Sequence, residues 1–441
     1  MINVFEEYSA DKKILILGFG REGRSTYKYL RKLYPNRKLY VMDSNSINDE
    51  LDNTEILCDD KYMCNLSEFD IVMKSPGIVL TEVQLSQINV LESQTSLFLK
   101  KLRKQIIGIT GTKGKSTTTS LIYHLLHSED ENTFIVGNIG IPCFDVLGEI
   151  NSDSKIVFEL SCHQLEFTKV SPSVSILLNF YEEHLDHYGT YENYKNAKRH
   201  IYEYQDETDV LYHNVDIADI KSKSRKITIG LENNSADYYV LGRTIYADDE
   251  VFEVTTNDTQ LLGNHNVYNI AVAYAVCQHY GMSHSTFMNH LKDFKPLQHR
   301  LEYVGTKNNI RYYDDSISTA CETAISALES IEKVDTILLG GMDRGIDYSS
   351  LLAYLSKNYC NNIIFAYDSG KRMYDELKAI VSNDYMNNVY LCEDLKDAVN
   401  LAKRITRAEY ACVLSPASAS YGYFKNFEER GDYFKKYVNE D

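Results

Sequence analysis

The stretch Gln105-Ile106-Ile107-Gly108-Ile109-Thr110-Gly111-Thr112-Lys113-Gly114-Lys115-Ser116 decides the fold. Its apolar opening predicts a buried strand over 105–109, and Leu121, Ile122, Leu125 and Leu126 recur at helical spacing just beyond it. Between them lies a glycine-bearing loop at a helix N-terminus. Such a loop turns backbone N–H groups and the positive end of the helix dipole toward an anion. Gly111, Thr112, Lys113 and Gly114 would wrap phosphate oxygens, with Thr117 beside them, while Lys115 reaches the terminal phosphates and Ser116 offers a hydroxyl to Mg2+. A strict Gly-x4-Gly-Lys-Ser loop would begin with Gly at 109, where Ile109 stands, so this is a variant phosphate loop. It predicts nucleotide binding and leaves the reaction open.

Toward the N-terminus the same grammar repeats. An apolar run over 14–17 meets Gly18-Phe19-Gly20-Arg21-Glu22-Gly23 and then a helical pattern through Tyr27 and Leu30. Further strands over 39–42 and 71–73 end at Asp43 and at Ser75-Pro76-Gly77. This alternation predicts a parallel sheet with ligands at the strand C-termini. Taken bare, the glycine turn reads as NAD binding with Asp43 on a ribose hydroxyl, although any pyrophosphate would suit the same helix start. Beyond the phosphate loop, strands over 155–158 and 174–178 end at Glu159 and Asn179, and a helix is expected over 191–202. From His299 onward, strands over 336–339, 362–366, 389–391 and 411–414 alternate with helices such as 323–331. The chain is therefore read as α/β throughout, in three domains: Rossmann-like over 1–102, P-loop ATPase-like over 103–298, and Rossmann-like over 299–441.

Composition excludes several classes. A formal charge of −17 over 441 residues repels a phosphate backbone, so nucleic acid is not an expected partner. No run of 18 or so apolar residues reads as a membrane span, and a soluble, intracellular protein is expected. The nine Cys are scattered without a CxxC pair or ligand spacing and read as reduced thiols. Parallel neighbours should bring Glu159 and His184, in Glu182-Glu183-His184, toward the phosphates. Carboxylate, hydroxyl and one imidazole suit Mg2+ or Mn2+, and neither a Cys nor a second close His points to zinc.

An ordered series of motifs now covers nearly the whole chain. It comprises the phosphate loop, Gly137-Asn138-Ile139-Gly140, Glu159-Leu160-Ser161-Cys162-His163-Gln164-Leu165, Asn179 through His184, and Asn196-Ala197-Lys198. It continues with Gly263-Asn264-His265-Asn266 and Asn269, Pro296-Leu297-Gln298-His299-Arg300, Asp314-Asp315-Ser316, and 414–428. The series resembles the Mur ligases of peptidoglycan synthesis, and within them the branch that adds glutamate to UDP-N-acetylmuramoyl-L-alanine. The resemblance implies ATP, two Mg2+ ions and an acyl-phosphate intermediate, in a cytoplasmic monomer acting on small molecules. It places Lys115, Glu159, His184 and a carbamylated Lys198 in the catalytic centre, with Ser116 and Glu159 at one metal and His184 and Lys198 at the other. By the same likeness Asn266, Asn269, Arg300 and Asp315 surround ATP, and Arg21, Glu22, Asp43, Ser44, Gly77, Asn138 and His184 receive the UDP substrate. Thr319, Arg344, Ser420 and Phe427 would hold the amino acid.

The chain departs from the family pattern in three places. Where the family reads Asp-Ser-Lys-Ala-Thr-Asn, this chain has Asp315-Ser316-Ile317-Ser318-Thr319-Ala320, losing a cation and an amide. An aromatic position is His163. These departures leave open L-glutamate or another amino acid as acceptor, and a non-catalytic UDP-muramoyl-binding protein is the alternative of a different class.

Overall fold

The computed structural model describes residues 2–9, 11–58, 62–247, 250–357 and 360–440. The first sheet comprises β1 (Ile14–Leu17), β2 (Leu39–Met42), β3 (Thr54–Leu57), β4 (Ile71–Lys74) and β5 (Leu91–Glu92), in the order β3-β2-β1-β4-β5. All its pairs are parallel, and the order reverses at β1, which opens a crevice between the C-terminal ends of β1 and β4. Two glycines there are required by contact. Gly18 has φ +91°, and a Cβ on Gly23 would lie 2.0 Å from Gly18 O, so only Gly lets the helix Arg21–Leu33 start this close to the strand.

The second sheet comprises β6 (Ile106–Thr110), β7 (Thr133–Gly137), β8 (Lys155–Glu159), β9 (Val174–Leu177), β10 (Val210–Asn214), β11 (Arg225–Leu231), β12 (Tyr238–Leu241), β13 (Thr244–Ala247) and β14 (Glu250–Glu253). Its order is β14-β13-β12-β11-β10-β9-β6-β8-β7, parallel from β7 to β12 and antiparallel through β13 and β14. Both sheets belong to one compact unit, Met1–Thr255 with Val267–Phe294. They share a core in which Ile14, Ile16 and Val41 join Phe158 and Leu177. Phe98, on the helix Gln94–Leu102, meets Phe158 edge-on at 5.8 Å, and each such buried ring contributes roughly 1.5–3 kcal/mol.

The second unit is Thr256–Asn266 with Lys295–Asp441. Its sheet comprises β15 (Glu302–Lys307), β16 (Ile310–Asp314), β17 (Val334–Leu339), β18 (Asn362–Ala366), β19 (Val389–Cys392) and β20 (Ala411–Leu414), in the order β15-β16-β20-β17-β18-β19. Only the β15–β16 pair is antiparallel.

Candidate active site

β6 lies between β8 and β9, and the ladders set Ile109 opposite Glu159 and Thr110 opposite Leu177. Three parallel strands thus end at one level, and Gly111, Glu159 and Asn179 emerge side by side. Gly114 has φ +86°, and a Cβ there would lie 2.8 Å from Asn269 Oδ1. The loop is laced by Asn179, whose Oδ1 accepts from the N–H groups of Thr112 (2.9 Å) and Lys113 (2.8 Å) while its Nδ2 donates to Lys113 O (3.0 Å). Those two amides are therefore committed, which leaves the N–H groups at the start of the helix Lys115–Glu129, among them those of Ser116 and Thr117, as the ones suited to an anion. Lys115 Nζ folds back onto Gly111 O and Thr112 O, both at 2.9 Å. Thr118 Oγ1 donates to Asn269 Oδ1 at 3.2 Å, tying that asparagine to the phosphate helix. The sequence marked Asn179 as a strand end and as the start of a family motif; its lacing role follows from the strand order.

Glu159 is fully buried. Asn138 Nδ2 donates to its Oε1 at 2.7 Å, and its Oε2 is a buried oxygen with no hydrogen-bond partner among the described residues. A buried carboxylate oxygen left unpaired is expensive unless something else binds it, and a hard cation is a fitting ligand. Gly137 has φ +111°, and a Cβ on it would lie 2.3 Å from Glu159 O, so glycine permits the close turn that carries Asn138.

Lys198, on the helix Tyr191–Arg199, is as buried as any core residue at 1% exposure. Its Nζ donates to Gly111 O at 2.8 Å and lies 4.8 Å from the Tyr194 ring centroid. Burial first, and then the neighbouring Lys115 charge, push its pKa down to about 7. The neutral amine this favours is the form that reacts with carbon dioxide. As an ammonium it cannot ligate metal, so Ser116 and Glu159 fit a divalent ion directly and Lys198 fits one only once carbamylated.

His184 sits at φ +57° ahead of the short helix Leu185–Tyr188, with a side chain 43% exposed. It is not the lone imidazole that the sequence suggested. The His163 ring lies 5.0 Å from it and 4.4 Å from His187, and Cys162 Sγ joins the same group. The expectation of no nearby Cys or second His is therefore corrected: chain spacing hid the cluster because His184 arrives from another strand end. Burial, followed by the His187 and His184 charges, pushes the His163 pKa down to about 4.

At the first sheet, the residues expected on the UDP substrate divide. Asp43, Ser44 and Gly77 lie at the C-terminal ends of β2 and β4, with Ser44 and Gly77 exposed. Asp43 Oδ2 accepts from Phe19 N at 2.7 Å and its Oδ1 from Asn45 N at 2.8 Å. Burial opposes its ionisation, yet these bonds and Arg24 hold its pKa below the usual range. Arg21 instead donates to Gly137 O (3.0 Å) and Asn138 O (3.2 Å). Glu22 is half-buried, its carboxylate packed away from water, which raises its pKa, and its Oε1 accepts from Gln164 Nε2 at 2.9 Å. Both residues fasten the first sheet to the turns around Glu159.

In the second unit, Asn266 Nδ2 donates to Leu262 O at 2.7 Å, and Arg300 Nε is buried without a hydrogen-bond partner among the described residues. Asp315 accepts from Ser415 Oγ at 2.7 Å and Leu301 N at 3.2 Å, and burial pushes its pKa up to about 7. Thr319 and Arg344 are exposed, Ser420 is buried, and the Phe427 ring lies 6.1 Å from His299. The sequence missed Arg430. Fully buried, it donates from Nε to Ser316 Oγ (3.0 Å) and from Nη2 to Ser316 O (2.7 Å).

Residues 109–277 match the Mur ligase middle domain. A UDP-N-acetylmuramoylalanine–D-glutamate ligase of Clostridioides difficile (strain 630) is 30% identical, the match covering 97% of this chain and 98% of the relative. One of the same name from Ligilactobacillus salivarius (strain UCC118) is 31% identical, covering 98% and 97%. Among solved structures, the fold is similar to that of MurF ligase from Thermotoga maritima in complex with ADP, with TM-score 0.61 at 16% identity over 99% of this chain and 97% of that one. With such identity across almost its entire length, the chain belongs to the Mur ligase family and is an ATP-dependent ligase that forms an amide bond.

Proposed function

We propose that this chain joins D-glutamate to the alanyl carboxylate of UDP-N-acetylmuramoyl-L-alanine, in cytoplasmic peptidoglycan precursor synthesis and as a monomer. The substrates are those in the names of its relatives. A carboxylate oxygen attacks the γ-phosphorus of ATP and ADP leaves; the glutamate amine then attacks the acyl carbon, phosphate leaves and the amine loses a proton. Lys115, released from its own loop carbonyls, would follow the transferring phosphoryl group. The N–H groups at the helix start hold the β-phosphate side. Ser116 and Glu159 would hold one Mg2+ and His184 with carbamylated Lys198 a second, and the ions would offset the repulsion between the two reacting anions. The observation that carries the reading is Glu159: buried, oriented by Asn138, and left with a bare oxygen beside the phosphate loop.

Ile317, where the family has Lys, favours a second reading with L-glutamate or another acceptor. Phosphate release is measured with ATP, Mg2+ and UDP-N-acetylmuramoyl-L-alanine against D-glutamate, L-glutamate and a panel of amino acids. Release only with an acceptor, abolished by Lys115→Ala, is the expected result. Acceptor-independent release, or none with any acceptor, refutes the proposal.

A further inference from the structure

The cluster around His163 is not used by the ligase chemistry, apart from His184. Cys162 Sγ and one ring nitrogen each of His163 and His184 lie within 4.8 Å of one another. Cys162 is buried at the start of the helix Cys162–Leu165, His163 is half-buried, and His184 reaches in from the exposed loop after β9. His187 stands close by, its ring 4.4 Å from His163 and its Nε2 3.3 Å from Glu166. The Tyr188 hydroxyl lies 3.3 Å from His163 Nδ1, which orients that ring and leaves its other nitrogen as the donor.

A thiolate with two imidazoles is a poor donor set for Mg2+, which takes oxygen ligands. It suits Zn2+, whose tetrahedral sites hold sulfur and nitrogen at about 2.0–2.3 Å, which sets the donor atoms roughly 3.3–3.8 Å apart. Closing the present spread takes a shift of about an ångström, which the exposed His184 side chain can supply by rotation. We propose that Cys162, His163 and His184 form a binding site for Zn2+ or a similar thiophilic divalent cation, with solvent as the fourth ligand. Binding replaces the Cys162 thiol proton, which is released to solvent, while each imidazole contributes a lone pair; no redox step is involved. Occupation also draws His184 away from the nucleotide, and that consequence alone rests on the role proposed for His184 above.

The test uses the full chain, stripped with EDTA, desalted and free of nucleotide, titrated with Co2+. One tetrahedral cobalt per chain is expected, with the near-ultraviolet thiolate-to-cobalt charge-transfer absorption, displaced by Zn2+. Cys162→Ser should remove that absorption, and His163→Phe, which keeps a ring against Tyr188, should weaken cobalt binding by about tenfold or more. Absence of the charge-transfer absorption, or its survival in Cys162→Ser because Cys58 or Cys64 supplies the thiolate, overturns the site. In the ligase assay, Zn2+ should inhibit the wild type reversibly and leave Cys162→Ser active with Mg2+. A protein that shows the cobalt absorption but never ligates with Mg2+ alone counts against the ligase reading and for the metal site.

Discussion

Replacing Asn138 by Ala tests the core of the site. Among the described residues, Asn138 Nδ2 provides the one side-chain hydrogen bond to Glu159, at 2.7 Å, and Glu159 is fully buried with its other oxygen unpartnered. A hydrogen bond to a charged group is worth about 1.5–3 kcal/mol. Each 1.36 kcal/mol is a factor of ten, so losing this bond corresponds to roughly a 10- to 100-fold change. That matches the usual cost, about 10–100-fold, of removing a residue that orients a metal ligand. The backbone bond from Asn138 N to Glu159 O, 3.2 Å, survives the substitution, so the turn should keep its shape. The expected result is a 10- to 100-fold weaker Mg2+ dependence of phosphate release, with KM for the UDP substrate changed less than the response to Mg2+. Titration of activity against Mg2+ at saturating ATP measures this. An unchanged Mg2+ response with a large rise in KM for the UDP substrate would show that Asn138 serves that substrate and that Glu159 needs no support, refuting the reasoning.

Three further outcomes follow from single contacts. Gly23→Ala sets a Cβ 2.0 Å from Gly18 O, and the clash should lower the thermal unfolding midpoint or abolish soluble expression, by about 3 kcal/mol or more. Arg430→Met removes two charged hydrogen bonds from Ser316 and should destabilise the second unit by about 3 kcal/mol, read as a fall in denaturant midpoint. Asp315 has its folded pKa raised, to about 7 from 3.8, so the native state holds the extra proton between those values and stability falls as pH rises through that window. Asp315→Asn should remove this slope; denaturant unfolding from pH 4 to 8 that keeps the same slope in the variant contradicts the assignment.

Much of the fold was legible because the parallel strands are continuous apolar runs closed by glycine or a polar residue. Strands 14–17, 39–42, 362–366 and 411–414 were read to the residue. The edge of the second sheet was not, since Tyr238–Leu241, Thr244–Ala247 and Glu250–Glu253 are four-residue strands, partly exposed and joined to one another by antiparallel pairing, too short to show a continuous apolar run. In the site, Lys115, Ser116 and Glu159 were legible from local pattern because each closes a strand or opens a helix. Asn179 lacing the phosphate loop was not, nor was the convergence of His163 with His184, because both depend on β9 lying next to β6. Lys198 is the intermediate case. Its helix is polar in composition, and only tertiary packing turns one of its lysines into a buried amine against Gly111 O.

Arg430 bears on the loss of lysine at position 317. Ile317 N donates to His299 O, and Ser316 N donates to Asp314 Oδ1, so the backbone of the turn after β16 is held by its neighbours whatever side chain stands at 317. Beneath it, Arg430 Nη1 is buried without a hydrogen-bond partner among the described residues, and a Cβ on Gly341 would lie 2.9 Å from it. The cation thus faces the Gly340-Gly341 turn, the one that leads to Arg344. Burial pushes its pKa down to about 10, still far above neutrality, so it stays charged. Positive charge around this turn therefore comes from Arg430 below it and Arg344 beyond it, and we propose that an acceptor carboxylate would draw on these rather than on a side chain at 317. On this reasoning Ile317→Lys should raise affinity for glutamate only modestly, within about tenfold, whereas Arg344→Ala should raise its KM by about 1.5–3 kcal/mol, or roughly 10- to 100-fold. A larger gain from Ile317→Lys than loss from Arg344→Ala, in the same acceptor titration, would place the binding charge at 317 instead.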